Sequence, residues 1–221
     1  MRKFLTALLL TGSLLWTALP AAGAMKREAF LELCGSGSAA AVKAALKKGA
    51  KVNVKDEVDT PLMRAVSGNP DPEVVRTLIE AGADIRVVSE GGDVLQMASR
   101  STPAPEVIKI LIDAGLGEDI NEGSMTPLML AAMENPNPAV IRALVEAGAD
   151  ANACEAYETE RTALIIAAQN NPEPGVILAL LEAGADPGLQ DSEGKTALDY
   201  ARENEGLKGT EALRRLEAVT R

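Results

Sequence analysis

The 221-residue chain contains no histidine. That excludes a Ser-His or Cys-His nucleophile pair and any metal held by imidazole. Cys34 and Cys154 are the only thiols, and no C-x-x-C spacing occurs. No glycine-rich phosphate loop is present either, because Gly35-Ser36-Gly37 follows a predicted helix and not a strand. Aromatic residues make up 2% of the chain. A compact globule ordinarily fills its interior with them, whereas a stack of small helices packed with Ala, Leu, Ile and Val does without. Positive charge is also short: 22 basic residues stand against 32 acidic ones, a formal net charge of −10. Without a basic cluster such a surface repels phosphate backbones and anionic membranes, so neither nucleic acid nor a membrane is an expected partner. Carboxylate pairs such as Glu155/Glu158 are plentiful, but chemistry needs a shaped pocket with shifted pKa values. They are expected to lie in a solvated loop, and the protein is expected to be non-enzymatic, with no cofactor and no metal.

Only one long apolar run exists, Phe4 to Trp16, behind the cationic Arg2 and Lys3. It is shorter than the roughly 20 residues that span a bilayer. Pro20 breaks it, and Ala22-Gly23-Ala24 has the A-x-A form of a cleavage site. Residues 1–24 are therefore expected to be a cleavable signal peptide. No cysteine stands at the cleavage point to carry a lipid anchor. The remainder would start near Met25 and be two charges more negative, in a periplasmic or secreted location.

What the rest of the chain has is repetition, and a repeat period decides the fold before any other reading. Thr60-Pro61-Leu62-Met63 is followed by Glu80-Ala81-Gly82-Ala83-Asp84; Thr126-Pro127-Leu128-Met129 by Val145-Glu146-Ala147-Gly148-Ala149-Asp150; Thr162-Ala163-Leu164-Ile165 by Glu182-Ala183-Gly184-Ala185-Asp186. The leucines fall at 62, 95, 128, 164 and 198 and the glycines at 49, 82, 115, 148 and 184. A period near 33 with a Thr-Pro-Leu opening and a Gly-Ala-Asp close resembles the ankyrin repeat, in its exported bacterial form. The resemblance covers Phe30 to about Val219. It implies an all-α solenoid of about six helix-turn-helix units, with loops projecting at right angles. The units are 25–59, an N-terminal capping repeat; 60–92; 93–125, degenerate because it opens Asp93-Val94-Leu95 and closes Gly115-Leu116-Gly117; 126–161, with three extra residues in its terminal loop; 162–195; and 196–221, a closing repeat.

Local signals agree. Ser38, Thr60 and Asp71 are placed to cap helices, with Pro61 and Pro72 just inside. Gly49 and Gly82 are placed to end them. In the first unit, Glu28 to Cys34 is predicted as a helix with Ala29, Phe30 and Leu33 on one face, broken by Gly35-Ser36-Gly37-Ser38. A two-proline motif marks the turn between paired helices at Pro70/Pro72, Pro103/Pro105, Pro136/Pro138 and Pro172/Pro174, shortening the list of unfolded conformations. The histidine by which ankyrin repeats link neighbouring loops is replaced by Met63, Gln96, Met129, Ile165 and Asp199, so those links must be made otherwise. Cys34 and Cys154 lie three repeats apart, roughly 25–30 Å at helix spacings of about 8–10 Å. No intramolecular disulfide is expected, since one needs Cα atoms within about 7 Å. Cys34 reads as a small core residue and Cys154 as an exposed thiol able to pair with another molecule.

The resemblance implies a protein partner bound on the concave face made by loops and inner helices, by a monomer. Its loop positions are Glu57, Val58, Asp59, Met125, Tyr157, Arg161 and Lys195. Its inner-helix positions are Ser67, Arg100, Met133, Glu134, Gln169, Asn170 and Arg202. The partner-binding candidates are Tyr157, Arg161, Met125, Met133, Gln169 and Arg100. Tyr and Arg anchor interfaces more often than other residues, and both stand in the enlarged loop. Against this, Tyr157 could cap its own loop and the methionines could fill gaps in the core. Two functions compete: a scaffold with several partners, or a dedicated inhibitor or immunity-type partner of one exported enzyme or toxin. A cryptic hydrolase or metal-dependent enzyme using carboxylates alone is the third reading.

Overall fold

The computed structural model describes residues 25–156 and 159–220. The expected signal peptide, residues 1–24, lies outside them. The described residues form six antiparallel helix pairs. These are α1 (Arg27–Ser36) with α2 (Ala39–Lys47), α3 (Pro61–Gly68) with α4 (Pro72–Glu80), and α5 (Val94–Ser101) with α6 (Glu106–Leu111). Then come α7 (Pro127–Glu134) with α8 (Pro138–Glu146), α9 (Ala163–Asn170) with α10 (Pro174–Glu182), and α11 (Ala197–Glu203) with α12 (Glu211–Val219). The odd-numbered helices pack in chain order as an inner row and the even-numbered helices as an outer row. Among the described residues, no helix is long and apolar enough to cross a membrane.

The helices begin where polar caps meet proline. Thr60, Thr126 and Thr162 accept at their hydroxyls from the backbone N–H of Met63, Met129 and Ile165. Asp71 and Asn137 cap α4 and α8 in the same way, with Pro72 and Pro138 at the first helical position. Gly82, Gly148 and Gly184 end the outer helices at φ 86, 104 and 90°, the left-handed region that costs an alanine about 1–2 kcal/mol. Small residues set the spacing of the inner row: Ala65, Ala98, Ala131, Ala132, Ala167, Ala168 and Ala201 are fully buried. One continuous apolar core then runs the length of the stack, because no single pair hides its apolar face alone.

Three details differ from expectation. Helix α1 continues through Gly35 and Ser36 to its end at Gly37, with the Ser36 hydroxyl donating to Glu32 O at 3.1 Å. Its buried face is Phe30, Leu31 and Cys34, while Ala29 is exposed. In the third repeat, α6 passes into a π-helical turn, Ile112–Leu116, and a 3-10 turn, Gly117–Asp119. That is the consequence of Leu116-Gly117 replacing Ala-Asp. The loop of the second repeat forms a short antiparallel hairpin, β1 (Val88–Ser89) and β2 (Gly92–Asp93).

Asparagines link neighbouring repeats, at places other than the histidine positions, where Met63, Met129 and Ile165 are buried in the core. At the inner-to-outer turns, Asn69 donates both amide hydrogens to the preceding repeat, to Cys34 O and Gly37 O, each at 2.9 Å. Asn135 does so to Ser99 O and Thr102 O, Asn171 to Ala132 O and Asn135 O, and Asn204 to Ala168 O and Asn171 O. A second row lies beyond the outer helices. Asn53, Asn121 and Asn152 each donate to the glycine carbonyl of the next repeat (Gly82, Gly148, Gly184) and accept from the N–H two residues on.

Candidate protein-binding surface

The loops of the first, second, fourth and fifth repeats are each closed around an acceptor at the head, which also ties the loop to the next inner helix. Asp56 accepts from the backbone N–H of Val58 and Asp59 at 2.8 and 2.7 Å and from Arg64 at 3.1 Å. Those bonds, the backbone ones foremost, hold its carboxyl down at about 2. Ser89 plays the part in the second repeat, accepting from Gly91 N–H and facing the Met97 sulfur at 3.6 Å. Asp191 accepts from Glu193 N–H, Lys195 N–H and, at 2.6 Å, from the Tyr200 hydroxyl. Burial pushes the Asp191 carboxyl up, but the Tyr200 and backbone donors outweigh it and the net shift is down. The same bond raises the Tyr200 phenol.

In the enlarged loop the acceptor is Glu155, 8% exposed. It is therefore not the solvated carboxylate expected from sequence. Arg161 grips it with Nε at 2.9 Å and Nη2 at 3.1 Å, and the Thr159 hydroxyl also donates to it. Desolvation raises the Glu155 carboxyl, and the Arg161 and Thr159 bonds more than reverse this. The third donor of Arg161, Nη1, reaches Gln169 Oε1 at 2.7 Å. This loop also bonds to both neighbours: Ala156 N–H donates to Ser124 O, and Ser192 N–H to Thr159 O.

The candidate residues separate accordingly. Arg161 and Gln169 are brought together, with Arg161 serving its own loop. Arg100 donates to Gly91 O at 2.9 Å and lies 3.6 Å from Glu134. Met125 and Met133 are half-buried against the core. Tyr157 lies outside the described residues. Glu57, Val58, Asn170 and Arg202 are exposed, and Ser67 is half-buried. Lys195 pairs with Glu193 at 2.9 Å and stands 5.3 Å from the Tyr200 ring centre. It lines a polar cleft of about 280 Å³ with Gln169, Glu193, Tyr200, Glu203 and Asn204.

Sequence reasoning missed the row of inner-helix residues that faces the loops: Arg64, Met97, Leu130, Ile166 and Tyr200. Arg64 is exposed, Met97 half-buried, and Leu130, Ile166 and Tyr200 buried. Their common register, two residues after each repeat leucine, was the available signal. On this face Arg64, Arg100, Arg161 and Lys195 are each paired with a carboxylate of the chain, while the loop carboxylates Glu57, Glu90, Glu122 and Glu160 are exposed. The concave side is thus apolar and polar at its centre and acidic at its rim. Among the described residues, no three His, Cys, Asp or Glu side chains converge to hold a metal.

A family model described as ankyrin repeats matches in three overlapping copies, residues 72–154, 94–191 and 141–218. A search of curated proteins gives no match. Among solved structures, the chain is similar to one in the complex of the predatory endopeptidase Bd0816 of Bdellovibrio bacteriovorus with immunity protein Bd3460. The identity is 28% and the TM-score 0.64, covering 86% of this chain and 97% of that one. It is also similar to the human ASB11 ankyrin repeat domain, at 24% identity and TM-score 0.64, covering 91% and 87%; that likeness is one of fold.

Proposed function

Because the chain belongs to the ankyrin-repeat family, we propose that it is a non-catalytic protein-binding scaffold whose concave face receives a protein partner. The observation that carries this is the face itself: a continuous row of inner helices, braced by asparagine rungs and by loops tied to the inner helices that follow them. Within each run of tightly joined repeats such a surface is held in shape before a partner arrives, which spares ordering entropy on binding. The recognition groups are the half-buried Met125 and Met133, Gln169 and Arg100, with Arg161 and Tyr157 in the enlarged loop. The chain is exported after cleavage near Ala24 and works in the periplasm or outside the cell.

A second reading is favoured by one observation. The similarity to a chain of the endopeptidase–immunity protein complex extends over nearly all of that chain. This supports a dedicated inhibitor or immunity-type role toward one exported enzyme. The experiment places a photo-crosslinking amino acid at Met133 on the concave face, and in a second protein at Arg76 on the outer helix α4, in cells of the source organism. Crosslinking at Met133 and not Arg76 supports the surface. One stoichiometric product that is a hydrolase, inhibited by the purified chain, favours the inhibitor; several products favour the scaffold. Crosslinking at Arg76 alone overturns both.

A further inference from the structure

The joints between repeats are not equal. Between the first and second repeats, Asn69 supplies two hydrogen bonds, Asp71 accepts from Ala39 N–H at 3.3 Å, and Asn53 supplies two more. Between the third and fourth, Asn135 supplies two, Asn137 donates to Pro103 O at 3.3 Å, and Asn121 supplies two. Between the second and third, both positions at the turn have changed. Thr102 stands where the asparagine should, and its hydroxyl turns to its own repeat, donating to Ala104 O at 3.1 Å and accepting from Ala104 N–H. Ala104 stands where Asp71 and Asn137 stand, without a side chain that reaches back. Helix α6 consequently starts at Pro105 without a side-chain cap. On the far side of the outer helices, the asparagine is replaced by Arg86, which reaches Gly115 O at 3.3 Å.

The loop side of this joint is intact. The β1–β2 hairpin, the reciprocal Asp93–Gln96 cap and the Arg100 bond to Gly91 O all lie there. Inner helices α3 and α5 remain packed. The joint is therefore fastened along its loop edge, keeps the Arg86 bond to Gly115 O, and lacks the side-chain rungs at the Thr102–Ala104 turn. In a repeat stack, stability is close to a sum of unit and nearest-neighbour terms, so opening concentrates at the weakest interface. We infer that the stack opens first between the second and third repeats, with the loop edge as pivot and the Thr102–Ala104 turn as the side that parts. Helices α1–α4 and α5–α12 are then two modules hinged at that edge, and the spacing between the Val58 loop and the Met133 region of the concave face is adjustable.

Hydrogen exchange of the intact chain, followed by mass spectrometry, tests this. Amides of α1–α4 are expected to exchange as one group, faster than those of α7–α10. Thr102→Asn restores the missing rung and is expected to slow exchange in α1–α4 about ten-fold, equivalent to one net hydrogen bond, leaving α9 and α10 unchanged. Asn135→Thr moves the same defect one joint along and is expected to extend the fast group through α6. Unchanged exchange in α1–α4 of Thr102→Asn overturns the inference, because ordinary fraying from the end does not depend on residue 102. So does wild-type protection of α1–α4 equal to that of α7–α10.

Discussion

Arg161 and Glu155 meet through two hydrogen bonds, at 2.9 and 3.1 Å, with Glu155 almost wholly out of solvent. Removing a partner from such a pair strands a charge, and that costs more than the pair itself contributes. Arg161→Ala is expected to destabilise the protein by about 2–3 kcal/mol in urea unfolding. Glu155→Gln with Arg161→Gln is expected to recover at least half of this. A loss of partner binding in Arg161→Ala alone therefore reports on the loop as much as on contact.

The asparagine rungs carry a second prediction. Asn171→Ala leaves Ala132 O and Asn135 O without their side-chain donor in a buried setting. The expected cost is about 2–3 kcal/mol, since an abandoned buried acceptor loses its full solvation. Asn152→Ala, on an exposed residue with the same number of bonds to its neighbouring repeat, is expected to cost about 1 kcal/mol. Paired denaturant titrations measure the difference.

Acid should unfold the chain in a defined window. Asp56 titrates at about 2 in the fold and near 3.8 when free; Asp191 and Glu155 are also held low. A depressed folded-state value means the stabilisation is complete above pH 4 and disappears as pH falls through the folded value. Stability is expected to be level above about pH 5 and to drop between about pH 4 and pH 2. Asp56→Asn should make that drop shallower, as followed by helical circular dichroism.

Gly148 ends α8 at φ 104°, with open space where a Cβ would stand. Gly148→Ala meets no clash, so its expected cost of about 1 kcal/mol is the left-handed backbone alone. Gly175, whose Cβ would lie 3.2 Å from the Pro138 side chain, separates steric from conformational cost in the same thermal melt.

The two thiols should differ sharply. Cys34 is fully buried, and burial pushes its thiol up to about 12; Cys154 is exposed. A thiol reagent is expected to label one cysteine per chain at once and the second only on unfolding. Oxidation should yield a dimer that Cys154→Ser abolishes.

The fold was legible because its cues are short-range. Thr60-Pro61, Asp71-Pro72 and Gly82 name a helix start, a second start and a stop without reference to the rest of the chain. The surface was less so. Arg161 read as a contact because arginine is frequent in interfaces, yet its partner Glu155, six residues away, absorbs it. The Asp191–Tyr200 bond depends on a hairpin bringing residue 191 over the fourth residue of α11, and no local preference shows that. Asn69, Asn135 and Asn171 were in view, each just before a proline pair, with Asn204 at the equivalent place without one. Their role was hidden because asparagine before a turn is expected for its own sake, while here it serves the adjoining unit.

Those asparagines read only main-chain oxygens next door. Side chains on the neighbour are invisible to them, so the wall can be repainted while the masonry stays put. Residues facing a partner are free to diverge without renegotiating the fit between units, and a unit with asparagine at its turn is interchangeable with another.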